Sequence, residues 1–437
     1  MARLFGTDGV RGLANGEVLT PELTVALARS AARVLAGRRV AIGRDTRPSG
    51  PMLEAAAVAG FTSVGADVLL LGVVPTPTVA HVVAAGAAEV GLVISASHNA
   101  MPDNGLKLFG PGGHKLTDAQ EDAIEAGLGE VTGVTGTAVG QVRAAPDALL
   151  ADYLDALQGS AGPLAGLRVV VDAAEGAAWQ LAPELYRRAG AEVVAIHADG
   201  DGRRINEGCG ATHPGSLAAA VVAHGADLGV AHDGDADRCV MVDGTGGVLS
   251  GDQVLGLLAL ARQAKGLAGS DVLVATVMSN LGLHQAMRAH GIDVVQTAVG
   301  DRYVLEAMLA GGHLLGGEQS GHVVLLDHAT TGDGLLTALQ VMDRVVTSGR
   351  SLADLASDVT LLPQVLVNVV ADRTRATDED VLAAVAVEEG ALDGQGRVLL
   401  RPSGTEALVR VMVEAPSQDL AETVAHRLAA VVGARSL

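Results

Sequence analysis

Lysine is almost missing from this 437-residue chain. Of its 30 cationic side chains only Lys107, Lys115 and Lys265 are lysines, and arginine supplies the rest. Where arginine is the default, a lysine inside a polar motif marks a position that wants a compact ammonium. Aromatic residues are scarce too, at 2%, which leaves little surface for stacking on nucleobases. The cations are outnumbered by 50 Asp and Glu, giving a net charge of −20. That balance argues against a nucleic-acid binder that works by neutralising phosphates. Cys209 and Cys239 are the two cysteines. They suggest no disulfide framework, build no metal cluster alone, and predict a reduced, cytoplasmic setting. The opening Met-Ala-Arg lacks the apolar core of a secretory signal. Charges, Pro or Gly interrupt every long apolar run, so no membrane span is expected. There is no Walker A sequence and no G-x-G-x-x-G after a strand, and the nucleotide readings lose support accordingly.

What the chain does have is apolar material and repetition. Apolar types make up 49%, enough to exclude a largely disordered chain, and the length suits about two to four domains. A short apolar run, Arg39-Val40-Ala41-Ile42-Gly43, is followed by an Ala-rich helical stretch and then Gly65-Ala66-Asp67-Val68-Leu69-Leu70-Leu71. The same order returns from Arg168 through a helical stretch, Ala182 to Ala189, to Gly190-Ala191-Glu192-Val193-Val194. It returns again from Asp271 to Gly291-Ile292-Asp293-Val294-Val295. Each copy reads strand, loop, helix, glycine terminator, strand, with the β-branched runs of strands buried on both faces. The tail differs: strands over 364–370, 397–400 and 407–414, and helices over 378–388 and 418–432. The expectation is three similar α/β domains over residues 1–155, 156–255 and 256–362, then a smaller α+β domain over 363–437.

Four polar loops stand out. The first, after Val90-Gly91-Leu92-Val93-Ile94, reads Ser95-Ala96-Ser97-His98-Asn99 and continues to Lys107. A Ser beside a His and near a Lys is a candidate nucleophile; a plain Ser/Asn-rich turn is the competing reading. The second, after Asp227-Leu228-Gly229-Val230-Ala231, contains Asp233, Asp235 and Asp237. On an extended segment these alternate carboxylates share a side and converge on one hard cation such as Mg²⁺. An EF-hand is excluded, because Arg238 and Gly244 stand where it needs Gly and Glu; a solvated acidic turn is the alternative. The third, Gly316-Gly317-Glu318-Gln319-Ser320-Gly321-His322, offers Glu318 and Ser320 to a ligand's hydroxyls or amine, or is a structural turn. The fourth, Arg401-Pro402-Ser403-Gly404-Thr405-Glu406 with Arg410 close by, combines guanidinium, hydroxyls and backbone N–H as a phosphate clamp does; a hairpin turn with a surface Arg is its alternative. A cleft where several domains meet is a favoured place for a small ligand.

With Phe5-Gly6-Thr7-Asp8-Gly9-Val10-Arg11-Gly12 added to these loops, the chain resembles the α-D-phosphohexomutase family over its whole length. The stretch Asn206-Glu207-Gly208-Cys209-Gly210-Ala211-Thr212-His213-Pro214 is similar to the branch that acts on glucosamine phosphates. The resemblance implies a four-domain, heart-shaped α/β enzyme, an isomerase that interconverts glucosamine 6-phosphate and glucosamine 1-phosphate. It works through phosphorylated Ser97 and a glucosamine 1,6-bisphosphate intermediate, and feeds UDP-N-acetylglucosamine and cell-wall synthesis. One Mg²⁺ is implied on Asp233, Asp235, Asp237 and an oxygen of phospho-Ser97. Arg11, His98, Lys107 and Arg238 match the positions around the reacting phosphate, and His322 an active-site His. Glu318 and Ser320 match the sugar-recognition pair. Arg401, Ser403, Gly404, Thr405 and Arg410 match the phosphate-binding loop. A small sugar phosphate is the expected partner, with no nucleic acid or membrane, in a monomer or homodimer. Two residues depart from the family pattern: Ala100 stands where Pro is usual and Ala236 where Gly is usual. The competing functions are a sister mutase for mannose or glucose phosphates, and a Mg²⁺-dependent phosphatase or sugar-phosphate binder.

Overall fold

The computed structural model describes residues 3–6, 8–130, 133–402 and 407–434. Packing divides the chain into two units, residues 1–278 with 291–358, and residues 279–290 with 359–437.

The first unit contains three sheets built on one plan. The first sheet holds β1 (Val10–Leu13), β2 (Arg39–Arg44), β3 (Asp67–Val73), β4 (Val90–Ile94), β5 (Asp103–Phe109) and β6 (Val142–Ala144), ordered β1-β5-β4-β2-β3-β6. The second holds β7 (Arg168–Asp172), β8 (Glu192–Ile196), β9 (Leu228–Ala231) and β10 (Val240–Asp243), ordered β10-β9-β7-β8. The third holds β11 (Val272–Thr276), β12 (Asp293–Thr297), β13 (Leu315–Gly317) and β14 (Val323–Leu325), ordered β14-β13-β11-β12. In every copy the first strand lies between the second and third and is parallel to both. A fourth strand then returns antiparallel to the third.

The local reasons are visible in the sequence. The central runs are apolar on both sides, and all five residues of β4 are buried. Helices such as Pro21–Val34 and Gly50–Ser63 cover the first sheet; Leu27, Ala31, Leu53 and Phe61 join Val40, Ile42, Val90 and Leu92 in one core. Gly65, Gly190 and Gly291, each just ahead of the second strand of its copy, have φ of 90°, 103° and 70°, the left-handed stop that favours glycine.

The second unit is α+β. Strands β15 (Gln364–Val370), β16 (Arg397–Pro402) and β17 (Leu408–Glu414) form an antiparallel sheet ordered β15-β17-β16. Val409, Val411 and Val413 turn one of its faces toward Val381, Val424 and Leu428 of the helices Glu379–Leu392 and Gln418–Gly433. Buried Glu414 accepts from the Leu281 backbone N–H at 2.8 Å and from Arg397 at 2.8 Å, tying the helix Leu281–Ala289 to the sheet. No helix among the described residues is long and apolar enough to cross a membrane, and both cysteines are free and buried.

Candidate active site

In all three copies the third strand runs straight into a polar loop. β4 delivers Ser95 to Asn99, β9 delivers His232 to Arg238, and β13 delivers Glu318 to His322. The crevice beyond the carboxyl ends of such strands is where open α/β sheets take ligands.

Ser97 is buried and has φ 53°, a left-handed conformation that costs an L-residue roughly 1–2 kcal/mol. Its surroundings hold it there. The buried Arg47 guanidinium donates to the carbonyls of Ser97 at 3.0 Å, Asn99 at 2.7 Å and Asp103 at 2.9 Å, and also to Ala100. Asp45 pairs with Arg47 Nε at 2.9 Å and accepts from Ser95 Oγ at 2.6 Å, and Ser95 Oγ accepts from the Ser97 N–H at 2.9 Å. Asn206 Nδ2 donates to the Ser97 and Asn99 carbonyls at 2.9 and 3.1 Å. Ser97 Oγ itself donates to Asp233 Oδ2 at 2.6 Å, with His98 Nδ1 at 3.3 Å.

The three aspartates converge, but not as alternate residues of an extended segment. Residues 234–236 form a turn with Ala236 at φ 59°, so the alanine that replaces the usual glycine occupies a left-handed position. Each of Asp233, Asp235 and Asp237 is buried, and they offer oxygens that all lie within 4.8 Å of one another. Burial, then repulsion from Asp237 and Asp235, pushes Asp233 up to about 7. Asp235 Oδ1 and Asp237 Oδ1 are buried without a hydrogen-bond partner among the described residues. Three carboxylates so enclosed are costly without a cation, and an oxygen-only set of this size fits a hard divalent ion such as Mg²⁺. The serine loop lies against this turn: a Cβ on Gly234 would stand 2.5 Å from the Ser97 carbonyl oxygen.

Lysine enters from β5. Lys107 Nζ reaches Asp8 at 2.6 Å, Asp235 at 2.7 Å and Asp237 at 3.3 Å. Burial alone would lower its pKa, yet Asp235, Asp8 and Asp237 hold it well above the ordinary lysine value. Asp8 also pairs with Arg11 and with Lys115 at 3.0 Å. Burial opposes its ionisation, but Lys107, Lys115 and Arg11 keep it well below the usual carboxylate range. Lys115 reaches Asp301, which lies 3.4 Å from His322 Nε2. Arg238 Nε stands 3.9 Å from both Asp233 and Asp237. His98 is lowered to about 4 by burial and by Arg238 and Arg11, so it is a neutral imidazole at pH 7.

Arg11, His98, Asp237, Arg238, Glu318 and His322 line one cavity of about 560 Å³, a size suited to a small molecule. Residues 318–322 are also a turn rather than an extended loop, closed by Gly321 N–H to Glu318 O at 3.0 Å and Glu318 N–H to His322 O at 2.9 Å. Glu318 Oε1 accepts from the Gly300 N–H at 3.0 Å. Ser320 Oγ and both His322 ring nitrogens are buried without hydrogen-bond partners among the described residues.

In the second unit, Arg401 on β16 and Arg410 on β17 are direct cross-strand partners. Like charges so placed repel, and an anion held by both guanidiniums removes the conflict. Ser403, Gly404 and Thr405 lie outside the described residues.

Sequence reasoning missed five residues of this network. Asp8 sat inside a quoted motif without a role. Lys115 carried the signal of being one of three lysines. Asp301 and the Asp45–Arg47 pair gave no local sign, since their partners come from distant segments.

Four profiles of the phosphoglucomutase/phosphomannomutase family match successive stretches: alpha/beta/alpha domain I over residues 2–132, domain II over 151–247, domain III over 250–361, and the C-terminal domain over 366–431. A phosphoglucosamine mutase of Saccharopolyspora erythraea is 62% identical, covering 99% of this chain and 100% of the relative. One of Mycolicibacterium smegmatis is 56% identical, with 98% of each chain covered. Among solved structures, a phosphoglucomutase/phosphomannomutase family protein of Burkholderia thailandensis superposes with a TM-score of 0.83 at 24% identity, over 100% of this chain and 98% of the other. An Aspergillus fumigatus N-acetylphosphoglucosamine mutase, solved with GlcNAc-6P and magnesium, gives 0.69 at 18% identity, over 99% and 96%. At these identities the two structural likenesses are likenesses of fold.

Proposed function

The chain belongs to the phosphoglucomutase/phosphomannomutase family, and from that premise we propose that it interconverts glucosamine 6-phosphate and glucosamine 1-phosphate, with Ser97 as the phosphoryl carrier. The observation that carries this reading is the hydrogen bond from Ser97 Oγ to one of three converging, buried carboxylates. Near-full-length identity to phosphoglucosamine mutases supports the amino-sugar substrate.

The proposed cycle starts with a phosphoryl group on Ser97. A free hydroxyl of the sugar monophosphate attacks it; the Ser97 Oγ–P bond breaks, a sugar O–P bond forms, and the hydroxyl proton is released to a base. The product is the 1,6-bisphosphate. The freed Ser97 oxygen takes up a proton; after the sugar turns around it gives that proton up and attacks the other phosphorus, the sugar O–P bond there breaks, the released sugar oxygen is protonated, and the net change is an isomerisation. Mg²⁺ held by Asp233, Asp235 and Asp237 would spread the charge of the transferring group. Arg11 and Arg238 contribute fixed positive charge beside it. Asp233 Oδ2 and neutral His98 Nδ1 are the acceptors within reach of the Ser97 hydroxyl proton. Asp235, Asp8 and Asp237 keep Lys107 protonated; a cation bound by Asp235 and Asp237 would weaken that hold and ease transfer of the proton. Glu318, Ser320 and His322 are assigned to the sugar, and Arg401, Ser403, Gly404, Thr405 and Arg410 to a phosphate of the ester.

The test is turnover of glucosamine, glucose and mannose 6-phosphates, with isomer and inorganic phosphate both measured, alongside peptide mapping. The expected result is isomerisation with glucosamine 6-phosphate preferred, and one phosphate on Ser97. Inorganic phosphate as the main product without any isomer supports a phosphatase instead.

A further inference from the structure

Asp172, His197 and Cys209 have no part in the reaction above, yet they meet at the carboxyl ends of the strands of the second sheet. Asp172 ends β7, and its parallel partner Ile196 ends β8, which places His197 one residue beyond. Cys209 comes from the loop that follows. That loop is fastened by Gly210 N–H to Asp172 Oδ2 at 2.9 Å and by Ala211 N–H to His232 O at 2.8 Å. An imidazole nitrogen, a carboxylate oxygen and a thiol sulfur from these residues all lie within 4.8 Å of one another. Asp172 and Cys209 are buried, whereas the His197 side chain is 31% exposed and leaves a way in.

The detail that points to a ligand is at His197. Its Nδ1 lies 3.0 Å from Asp172 Oδ2, yet this buried nitrogen makes no hydrogen bond among the described residues. Two polar atoms so close, without hydrogen-bond alignment, leave the imidazole nitrogen available to another partner. The donor set decides what belongs there. Mg²⁺ and Ca²⁺ take oxygen ligands, while sulfur with imidazole and carboxylate suits zinc. In a tetrahedral zinc site such donors stand about 3.3–3.6 Å apart, so the His197 Nδ1–Asp172 Oδ2 pair at 3.0 Å would widen slightly while the sulfur, within 4.8 Å of both residues' donor atoms, settles to that spacing. Water would take the fourth position.

We propose that Asp172, His197 and Cys209 form a second metal site, for Zn²⁺ or a similarly thiophilic divalent ion. Binding displaces the Cys209 thiol proton to solvent and fixes the sulfur as thiolate. The ion pins the loop in which Asn206, three residues before Cys209, holds the Ser97 and Asn99 carbonyls. The site therefore stiffens the serine loop without touching substrate, and it stands whether or not the chain is a mutase.

The test is titration of the full chain with Co²⁺, as a spectroscopic substitute for zinc, in excess Mg²⁺. A sulfur-to-cobalt charge-transfer band in the near ultraviolet is expected at one equivalent. The oxygen-only aspartate trio cannot give that band, so Asp233→Asn should keep it. Cys209→Ser should lose it, Cys239→Ser should keep it, and His197→Ala should weaken binding at least about tenfold, since even outer-shell changes cost 10- to 100-fold. Zn²⁺ should raise the melting temperature of the wild type but not of His197→Ala. Absence of the band in the wild type overturns the proposal, whatever the variants do, and so does its survival in Cys209→Ser.

Discussion

Ser97 Oγ donates a 2.6 Å hydrogen bond to Asp233 Oδ2, joining residues 136 positions apart. The bond brings the hydroxyl proposed as the phosphoryl carrier to the edge of a carboxylate cluster. Ser97→Ala should therefore lower turnover at least about a thousandfold while the protein stays folded. Steady-state kinetics, circular dichroism and intact mass read this together. A variant that keeps a tenth of wild-type turnover would show that Ser97 is not the carrier.

At the proposed site proton and metal would compete for Asp233. Because burial and its neighbours push this carboxyl up to about 7, an ion binding below that pH must displace a proton. The apparent Mg²⁺ dissociation constant should rise about tenfold for each pH unit below 7, and level off above it. Calorimetric titration between about pH 6 and about pH 8 measures this. In Asp233→Asn the affinity should be far weaker and its pH dependence flattened; an unchanged slope would place the competing proton elsewhere.

Lys107 separates charge from proton chemistry. Lys107→Met leaves Asp8 and the trio short of a buried cation and should destabilise by about 3–5 kcal/mol in denaturant melts, with Mg²⁺ restoring part of the loss. Lys107→Arg keeps the charge but cannot release a proton. Its kcat should fall far more than its substrate affinity. Equal losses in both would count against a proton-transfer role.

Asp333 predicts a pH dependence of stability unrelated to catalysis. It accepts from Tyr153 Oη at 2.9 Å and caps the helix Gly334–Ser348 through the Leu336 N–H. Burial nevertheless raises it to about 6, with those hydrogen bonds opposing. The folded state binds this proton more tightly than the unfolded chain, so stability should fall as pH climbs from about 4 to about 6 and stay lower above. The full shift corresponds to roughly 3 kcal/mol. Asp333→Asn should erase that decline in urea melts across the window, while keeping the cap oxygen; an unaltered decline would assign it to another group.

The three-copy architecture was legible because its first two strands are apolar runs separated by a helix and a glycine stop, which survive as pattern in any one sequence. The returning strands were not, since β5 spells Asp-Asn-Gly-Leu-Lys-Leu-Phe and carries its chemistry within the strand. Ser97 and the three aspartates could be read from type and order. Their loop conformations could not: nothing in the letters shows that Ser97 and Ala236 are left-handed, or that 318–322 folds into a turn. The Asp45–Arg47 pair, Lys115 and Asp301 reach segments far away in sequence, and their roles exist only once the chain is folded.

The enclosure of two lysines in the ion network has a practical side. Lys107 and Lys115 are 4% and 11% exposed, whereas Lys265, paired with Asp343 at 2.7 Å, is 43% exposed. Amine-directed acylation will meet one accessible side chain, apart from any α-amino group. A fluorophore or resin linkage made through a lysine is thereby delivered to a single point beyond the helix Gly251–Ala264, without any engineered handle.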